Sequence, residues 1–201
     1  NLTEFTRQLY WRDFYGHICD AFELLYGESP YEFRGRQPWH TDAPTRQKFL
    51  RWSRGDTGKP IVDAGIKQLL ATGYMHNRVR MISASFLVKD LHIHWRHGAD
   101  WFMKHLLDGD IASNSHGWQW TAGTGTDASP YFRIFNPISQ GEKFDPNGTY
   151  VRAWIPELAD TPNDVVHAPW LAGLLNPYLE PIVDHAEERQ ESLIRYKQIS
   201  V

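Results

Sequence analysis

Residues 108–120 read DGDIASNSHGWQW, and the interpretation of the whole chain starts from them. The stretch combines two acids, two amides, two glycines and two tryptophans. It has no apolar residues at helical spacing, which predicts a loop. Glycine lets another group approach the main chain closely, and tryptophan offers a flat face on which a ring can stack. These features indicate the wall of a pocket for an aromatic ligand. The alternative is a buried structural loop, with Asp108 paired to an arginine and both tryptophans in the core.

Five further motifs accompany this stretch along the chain. They are WRDFY (11–15), TGKPIVDA (57–64), MHNRVRM (75–81), PYFRIFNP (130–137) and QGEKFD (140–145). Together with residues 108–120, and in the same order, they resemble the C-terminal flavin domain of DNA photolyases and cryptochromes, most closely that of the class I cyclobutane pyrimidine dimer photolyases. The resemblance runs from about Asn1 to Tyr196 and implies a helical domain that binds FAD.

Length and composition restrict the kinds of protein that this chain can be. A chain of 201 residues can form one good core, so we expect a single domain over residues 1–201. The net charge of −3 gives no overall basic surface, and any DNA contact must use a local patch. The lone Cys19 excludes a disulfide framework and a four-cysteine iron–sulfur site. No apolar run reaches membrane-spanning length.

No metal site is expected. Histidines cluster between residues 92 and 105, but no carboxylate or cysteine completes a metal-binding set with them. The expected location of these side chains, which are His92, His94, His97 and His105, is on solvated helix faces.

The chain begins at Asn1 rather than Met, which suggests a piece of a longer protein. The resemblance implies that the segment that binds the FAD phosphates, and an α/β domain that binds an antenna chromophore, would lie upstream. We therefore expect FAD affinity to be weak or absent in the isolated chain, and any antenna chromophore to need the N-terminal domain. We also expect a monomer and, for a bacterial source, a cytoplasmic protein associated with the nucleoid.

Apolar residues at helical spacing predict an all-α fold. The predicted helices run over Leu2–Leu25, Thr45–Trp52, Pro60–Gly73, Met75–Phe86, Trp95–Leu106, Tyr150–Leu158 and Ile182–Lys197. We expect the first of these to be amphipathic, and the segment Met81–Val88, apolar nearly all round, to be a buried central helix. Residues 26–45 and most of residues 121–150 are rich in glycine, proline and polar side chains and predict loops.

The resemblance also implies which residues contact the flavin. These are Phe5, Arg80, Asp108, Asp110 and Asn114. Arg80 is expected to be buried beside the ring in a bidentate pair with Asp108, with Asp110 near the pyrimidine edge of the flavin. Asn114 is expected near N5, where an amide forms a hydrogen bond without adding charge. Plant cryptochromes carry an acid at this position, so Asn114 favours repair. The alternative for Arg80 and Asp108 is a purely structural salt bridge.

An electron-transfer relay is the second implication of the resemblance. Trp118, Trp95 and Trp39 correspond to the tryptophans that lead from the flavin to the surface, and indole is the side chain that is most easily oxidised. The spacing between Trp39 and Trp52 is about three residues longer than usual, so Trp52 is an alternative to Trp39. The simpler interpretation is that these tryptophans only fill the core.

A lesion pocket is the third implication, since photolyases act on a dinucleotide flipped out of the stack. The resemblance assigns walls, floor and backbone contacts to Trp11, Trp120, Asn77, Met81, Arg12, Arg78 and Gln140. Members specific for the (6-4) lesion carry histidines at the positions of Asn77 and Met81. This chain lacks those histidines, which favours cyclobutane dimers as its substrate. Most cyclobutane enzymes carry glutamate at the position of Gln8. We therefore expect slower repair by this chain, or else a sensor or a relative with another specificity.

The expected function is repair of cyclobutane pyrimidine dimers in DNA by light-driven electron transfer from reduced FAD. One alternative is a cryptochrome-like photoreceptor without repair activity, which Gln8 favours slightly. Another is a flavin-free helical domain that binds DNA or protein.

Overall fold

The computed structural model describes residues 2–22, 40–125, 130, 133–173 and 178–198. Every regular element in these ranges is helical, which confirms the predicted all-α class. The helices are α1 (Leu2–Phe22), α2 (Ala43–Arg54), α3 (Pro60–Thr72), α4 (Asn77–Ser85), α5 (Trp95–His105), α6 (Ile111–Ala122), α7 (Pro137–Phe144), α8 (Thr149–Trp154) and α9 (His185–Gln198). A π-helical turn, Phe86–Asp90, continues α4, and short 3-10 turns occupy Pro156–Leu158 and Pro169–Ala172.

The centre of the fold is the segment that runs from α4 through the π-helical turn. Every residue from Ile82 to Ile93 is buried, and Phe86, Leu87 and Leu91 have no exposed surface. A segment can be buried all round only when other elements pack on every side, and here α3, α5, α6 and α9 supply these contacts. The predicted buried central helix is confirmed, although it ends as a π-helical turn with Leu91 N–H donating to Phe86 O at 3.0 Å.

Helix ends follow the local sequence signals. Asp42 caps α2 by accepting a hydrogen bond from Thr45 N–H at 2.9 Å. Pro60 is the first residue of α3, and Gly73 ends it in the left-handed conformation, with φ 70°. The predicted start and end of α3 are thus confirmed. The predicted helix Tyr150–Leu158 is wrong at its end: α8 stops at Trp154, because Pro156 cannot continue the ladder of hydrogen bonds.

Two predicted loops contain helices. Residues 111–122 form α6, in which Asp110 caps the first turn by accepting from Ser113 N–H at 2.7 Å. Its buried residues are mostly polar, such as Ser115, Gln119 and Thr121, so it lacks the apolar spacing that identifies a helix. Residues 137–144 form α7. The Asn-Pro pair at its start is an N-cap followed by a proline at the first helical position, a signal that the loop prediction overlooked.

The first helix is present as predicted, but most of the apolar residues that suggested an amphipathic helix are exposed. Leu2, Phe5 and Phe14 are 81%, 63% and 41% exposed, and Cys19 is the only buried residue between Leu2 and Ala21. The α1 helix packs against α6 through its C-terminal half, where Tyr15 stacks on His116 at 4.8 Å between ring centroids. Residues 23–25 of the predicted helix lie outside the described residues, as do residues 26–39 of the predicted loop.

The C-terminal helix α9 is attached to the central segment by polar contacts. His185 Nδ1 contacts Asp90 Oδ1, and His92 Nε2 lies 2.6 Å from Glu188 Oε2. His92 is 3% exposed, and the ring of His94 caps α5 by accepting from Arg96 N–H at 3.2 Å. The prediction that these histidines lie on solvated helix faces is therefore wrong for His92 and His94.

Candidate functional site

A cavity of about 170 Å³ lies between α4, α5 and α6; we call it the α4–α6 cavity. Seven of the residues that the sequence assigned to a site line it, namely Asn77, Arg80, Met81, Asp108, Asp110, Asn114 and Trp118. They include residues expected to contact the flavin and residues expected to contact the lesion. The structure therefore brings the two predicted sites together around one opening.

Arg80 and Asp108 form the expected pair at the rim of this cavity. Arg80 Nη2 donates to both carboxylate oxygens, at 2.9 and 2.8 Å, and Arg80 Nε donates to Met75 O at 2.7 Å. The two side chains pair as expected, but the pair is not buried, and the two contacts are not made by two separate guanidinium nitrogens. One nitrogen makes both contacts, and the side chain of Asp108 is 55% exposed. Exposed pairs contribute about 0–1 kcal/mol to stability, so this pair is better suited to contacting a ligand than to holding the fold.

The α6 helix contributes a polar stripe to the cavity. Asp110 lies at its N-terminus, where hydrogen bonds from Ser113 lower the pKa of the Asp110 carboxyl. One turn later, Asn114 Nδ2 donates to Ala99 O on α5 at 2.9 Å. One N–H of the amide is used in this bond, and Asn114 also lines the cavity, where its side-chain oxygen can accept a hydrogen bond from a ligand. This polarity suits a ligand that presents an N–H group.

Trp118 forms an inner wall of the cavity and is 2% exposed. Its indole Nε1 is buried and has no hydrogen-bond partner among the described residues, which is a costly state. Gly98 on α5 permits the close approach of the ring, since a Cβ there would lie 2.1 Å from Trp118 Cη2. The ring of Phe102 packs edge-on against Trp118 at 5.0 Å between centroids.

The other predicted relay residues differ in position. Trp95 is 4% exposed and lies one turn before Gly98 on α5, so it shares the helix face that packs against Trp118. Trp39 lies outside the described residues. Trp52 has no exposed surface and its ring centroid is 6.2 Å from that of Trp118. The suggestion that Trp52 replaces Trp39 at the surface is therefore wrong, because Trp52 is an interior neighbour of Trp118.

The predicted lesion contacts on α1 are exposed. Trp11 is 39% exposed and stacks on Tyr15 at 5.6 Å between centroids, while Arg12 pairs with Asp13 at 3.1 Å. Gln8 lies one turn before Trp11 on the same helix face. None of these residues lines the α4–α6 cavity, and neither does Phe5. Their roles stay predictions.

The other residues that the sequence assigned to the lesion pocket lie on α4, α6 and α7. Asn77 Nδ2 and Met81 Sδ are 3.9 Å apart. The guanidinium carbon of Arg78 lies 4.7 Å from the ring centroid of Phe144 on α7, the helix that also carries Gln140. Trp120 is half-buried.

Sequence reasoning missed Ser113, Gly117 and Thr121, which also line the cavity. They recur four residues apart on α6, so they share one face. A Cβ on Gly117 would meet no atom within 4 Å, which shows that this glycine borders open space. A polar stripe with helical spacing was the available signal, but helices are normally sought through apolar spacing.

The residues of this cavity fit the ring half of a flavin and do not supply a phosphate site. The lining matches a heteroaromatic ring. Trp118 supplies a planar apolar wall, Asn114 supplies a hydrogen-bond acceptor, and Arg80 and Asp108 supply a charged rim. Among the described residues that line the cavity, Arg80 is the only cation, and Asp108 neutralises its charge. In the described part of the chain no group of three or more histidine, cysteine or acidic side chains is arranged to hold a metal ion, and no helix is long and apolar enough to cross a bilayer.

Comparison with known proteins identifies close relatives. A deoxyribodipyrimidine photo-lyase of Escherichia coli (strain K12) is 51% identical over 195 residues, which cover 94% of this chain and 41% of that protein. One from Halobacterium salinarum is 44% identical over 204 residues, covering 98% and 42%. The chain thus spans about two fifths of the length of these curated relatives.

Solved structures show the same fold. A bacterial class III photolyase from Agrobacterium tumefaciens has a TM-score of 0.91 at 45% identity, covering 98% of this chain and 42% of that one. A cryptochrome from Synechocystis sp. PCC6803 has a TM-score of 0.86 at 36% identity, covering 96% and 41%. The family described as the FAD binding domain of DNA photolyase matches residues 5–198. The predicted resemblance is confirmed, and this chain belongs to the family of FAD-binding domains of DNA photolyases.

Proposed function

We propose that this chain is the flavin-binding part of an enzyme that repairs cyclobutane pyrimidine dimers in DNA by light-driven electron transfer. The α4–α6 cavity carries the proposal, because it joins Arg80, Asp108, Asn114 and Trp118 to Asn77 and Met81. A donor bound against the first group would lie next to a lesion bound against the second. The names of the relatives support this activity.

Reduced FAD, when bound, supplies the electron donor that light excites. The chain supplies position and electrostatics. Asn114 is fixed by its bond to Ala99 O, so its side-chain oxygen would accept a hydrogen bond from a ring N–H without adding negative charge. Arg80 and Asp108 would contact the polar edge of the ring at the cavity rim, and Trp118 would contact the ring from the apolar side.

The lesion is expected to enter from the side of Asn77 and Met81. Trp11 and Trp120 would stack on the flipped pyrimidines, and Arg12, Arg78 and Gln140 would contact the DNA backbone. Cationic contacts of this kind must be local, because the chain as a whole carries a net charge of −3. Gln8 would form a neutral hydrogen bond to the lesion, so charge stabilisation during repair would be weaker than with a glutamate.

Repair is tested by illuminating the full-length protein, loaded with FAD and chemically reduced, together with DNA that contains cyclobutane dimers. We expect the dimers to disappear under blue light and to persist in the dark. Asn77→Ala is expected to reduce binding of damaged DNA relative to intact DNA, and Gln8→Glu to raise the repair yield. A protein that binds FAD but leaves dimers unchanged under blue light would refute the proposal.

A cryptochrome-like photoreceptor is the second candidate, because the Synechocystis cryptochrome shares the fold and because Gln8 lacks the carboxylate. Both candidates use Trp118 and Trp95 to reduce oxidised flavin. They differ in their affinity for damaged DNA. Binding of dimer-containing DNA in the dark, measured against the same intact duplex, separates them: a clear preference for the damaged duplex supports repair, and equal affinities support the photoreceptor.

A further inference from the structure

We propose that His116 is a positioning residue for the lesion pocket: through Tyr15 it fixes the orientation in which Trp11 stacks on a flipped pyrimidine. The proposal deepens the proposed function and rests on it, because Trp11 is assigned to the lesion there. His116 lies on α6 but does not line the α4–α6 cavity, so its role would be in substrate binding rather than in flavin binding.

Three rings form a continuous stack from α1 to α6; we call it the α1–α6 ring stack. The ring centroids of Trp11 and Tyr15 are 5.6 Å apart with an interplanar angle of 28°, and those of Tyr15 and His116 are 4.8 Å apart with an angle of 26°. Aromatic pairs at such distances are attractive beyond the area they bury. Trp11 is 39% exposed, Tyr15 is partly buried and His116 is 6% exposed. The stack therefore leads from the open end of the lesion helix into the interior.

The inner end of the stack is held from both helices. His116 Nδ1 donates to Ala112 O, one turn earlier on α6, at 2.9 Å, and because a carbonyl oxygen can only accept, this bond sets the orientation of the imidazole. The buried Cys19 Sγ lies 3.9 Å from the same nitrogen. Tyr15 and Cys19 are one turn apart, so both contact the imidazole from one face of α1.

The outer end of the stack has little other support. Among the described residues, the ring contacts of Trp11 are with Tyr15 and with Phe14, which packs edge-on at 5.7 Å between centroids. Phe14 is itself 41% exposed, so it cannot fix the indole as a buried neighbour would. A tryptophan without the stack could change rotamer, and the cost of ordering it would fall on DNA binding. The stack removes this cost in advance.

The position of His116 in the sequence connects the two proposed sites. It lies between Asn114 and Trp118, which both line the α4–α6 cavity, and α6 is the main helix against which α1 packs in the described part of the chain. The helix that would contact the flavin ring therefore also fixes the lesion wall on α1. A smaller residue at position 116 would free Trp11 without removing any group from the cavity.

The test measures binding of dimer-containing and intact DNA in the dark by the full-length protein loaded with FAD. His116→Ala removes the inner ring and keeps a residue that favours a helix. We expect the affinity for the damaged duplex to fall by about 2-fold to 10-fold, which is the effect of losing one aromatic pair. The affinity for the intact duplex should stay within about twofold of the wild type. An unchanged affinity for the damaged duplex, or an equal loss for both duplexes, would overturn the proposal.

His105→Ala is the matched control, because His105 has the same local geometry on α5. Its Nδ1 lies 2.8 Å from the carbonyl oxygen of Trp101, one turn earlier, and its ring stacks on Trp101 at 4.2 Å between centroids. This variant should bind damaged DNA like the wild type, and a loss equal to that of His116→Ala would count against the proposal. His116→Phe restores a planar ring and should bind damaged DNA more tightly than His116→Ala; equal affinities would refute the role of stacking.

A double-mutant cycle shows whether His116 acts through Trp11. Trp11→Ala should weaken binding of damaged DNA, and adding His116→Ala to it should change the affinity by less than about twofold. A residue that only supported the fold would cause the same loss in both backgrounds. A second loss as large as that in the wild-type background would therefore overturn the proposal.

A readout without DNA separates this proposal from the proposed function. In fluorine NMR spectra of full-length protein labelled with fluorotryptophan, the Trp11 resonance is assigned through Trp11→Phe. This resonance should shift or broaden in His116→Ala and stay in place in His105→Ala, and an unchanged resonance in His116→Ala would overturn the proposal. If the wild type does not prefer damaged DNA, the proposed function fails, while the Trp11 resonance still decides whether His116 fixes the indole.

Discussion

Gly117→Ala separates the stability of the fold from its ability to bind a ligand. The glycine lies inside α6, where alanine is favoured over glycine by about 1 kcal/mol. A Cβ would meet no atom within 4 Å, so no clash offsets this gain. For a protein of this length, 1 kcal/mol corresponds to an increase of about 2–4 °C in the melting temperature. The flavin-free variant should therefore be more stable than the wild type.

The same methyl group projects into the space that we assign to the flavin ring. Its volume is on the order of 30 Å³, similar to that of a water molecule, and would take roughly a sixth of the 170 Å³ cavity. Overpacking of a fitted site costs about 1–3 kcal/mol, which corresponds to an increase of about 5-fold to 150-fold in the dissociation constant. FAD affinity should fall while stability rises.

The assay pairs thermal unfolding of the flavin-free protein with FAD titration of the full-length protein. Gly98→Ala is the matched control, because it is the same substitution in a neighbouring helix against the same tryptophan. Its Cβ would lie 2.1 Å from Trp118 Cη2 and 2.6 Å from Leu87 Cδ2, so it should destabilise the protein by about 1–3 kcal/mol. If Gly117→Ala raised the melting temperature and left FAD affinity unchanged, the ring would not lie against α6 and the assignment of the cavity would be wrong.

Two further predictions test individual contacts. Asn114→Asp removes the donor to Ala99 O and adds charge, so FAD affinity measured by titration should fall by about 1–3 kcal/mol; an unchanged affinity would show that Asn114 does not face the ring. Burial lowers the pKa of Lys89 to about 7. Between about pH 7 and pH 10 the unfolded chain therefore binds a proton that the folded chain releases. The free energy of unfolding of the wild type should rise with pH in this range, by up to about 1.4 kcal/mol per pH unit. In denaturant titrations, Lys89→Met should remove this dependence. A flat wild-type profile would mean that the Tyr196 ring, whose centroid lies 3.6 Å from Nζ, keeps the ammonium charged.

The sequence predicted those elements that carry their own local signals. Pro60 marks the start of α3 because its φ angle is fixed, and Gly73 marks the end because glycine adopts the left-handed conformation. The apolar run around Phe86 marks the buried centre, because a segment that is apolar on all sides must be buried. Each of these signals acts within a few residues. The Asn136-Pro137 cap of α7 is an equally local signal. It was overlooked because the surrounding residues are polar and were predicted to form a loop.

Tertiary contacts decided what the sequence could not predict. Apolar spacing predicted the helix α1, but burial of a helix face depends on what packs against it, and Phe5 is 63% exposed. The resemblance predicted that Arg80 and Asp108 meet, but not that Asp108 would be more than half exposed. Trp52 is 66 positions before Trp118 in the sequence, so only the fold could show that their rings are neighbours.

Trp118 is both a core residue and a cavity wall, and two glycines make this possible. Gly98 removes the side chain that would hold α5 away from the indole, so the ring packs into the core beside Phe102. Gly117 precedes Trp118 on α6. Because it has no side chain, it leaves open space in the cavity next to the indole. Bulk at Gly98 should therefore displace the ring, while bulk at Gly117 should leave the ring in place and close the space next to it. Because Trp118 lines the cavity and is also expected to pass electrons to the flavin, displacement of this ring should impair flavin binding and photoreduction together, whereas filling the cavity should impair binding first.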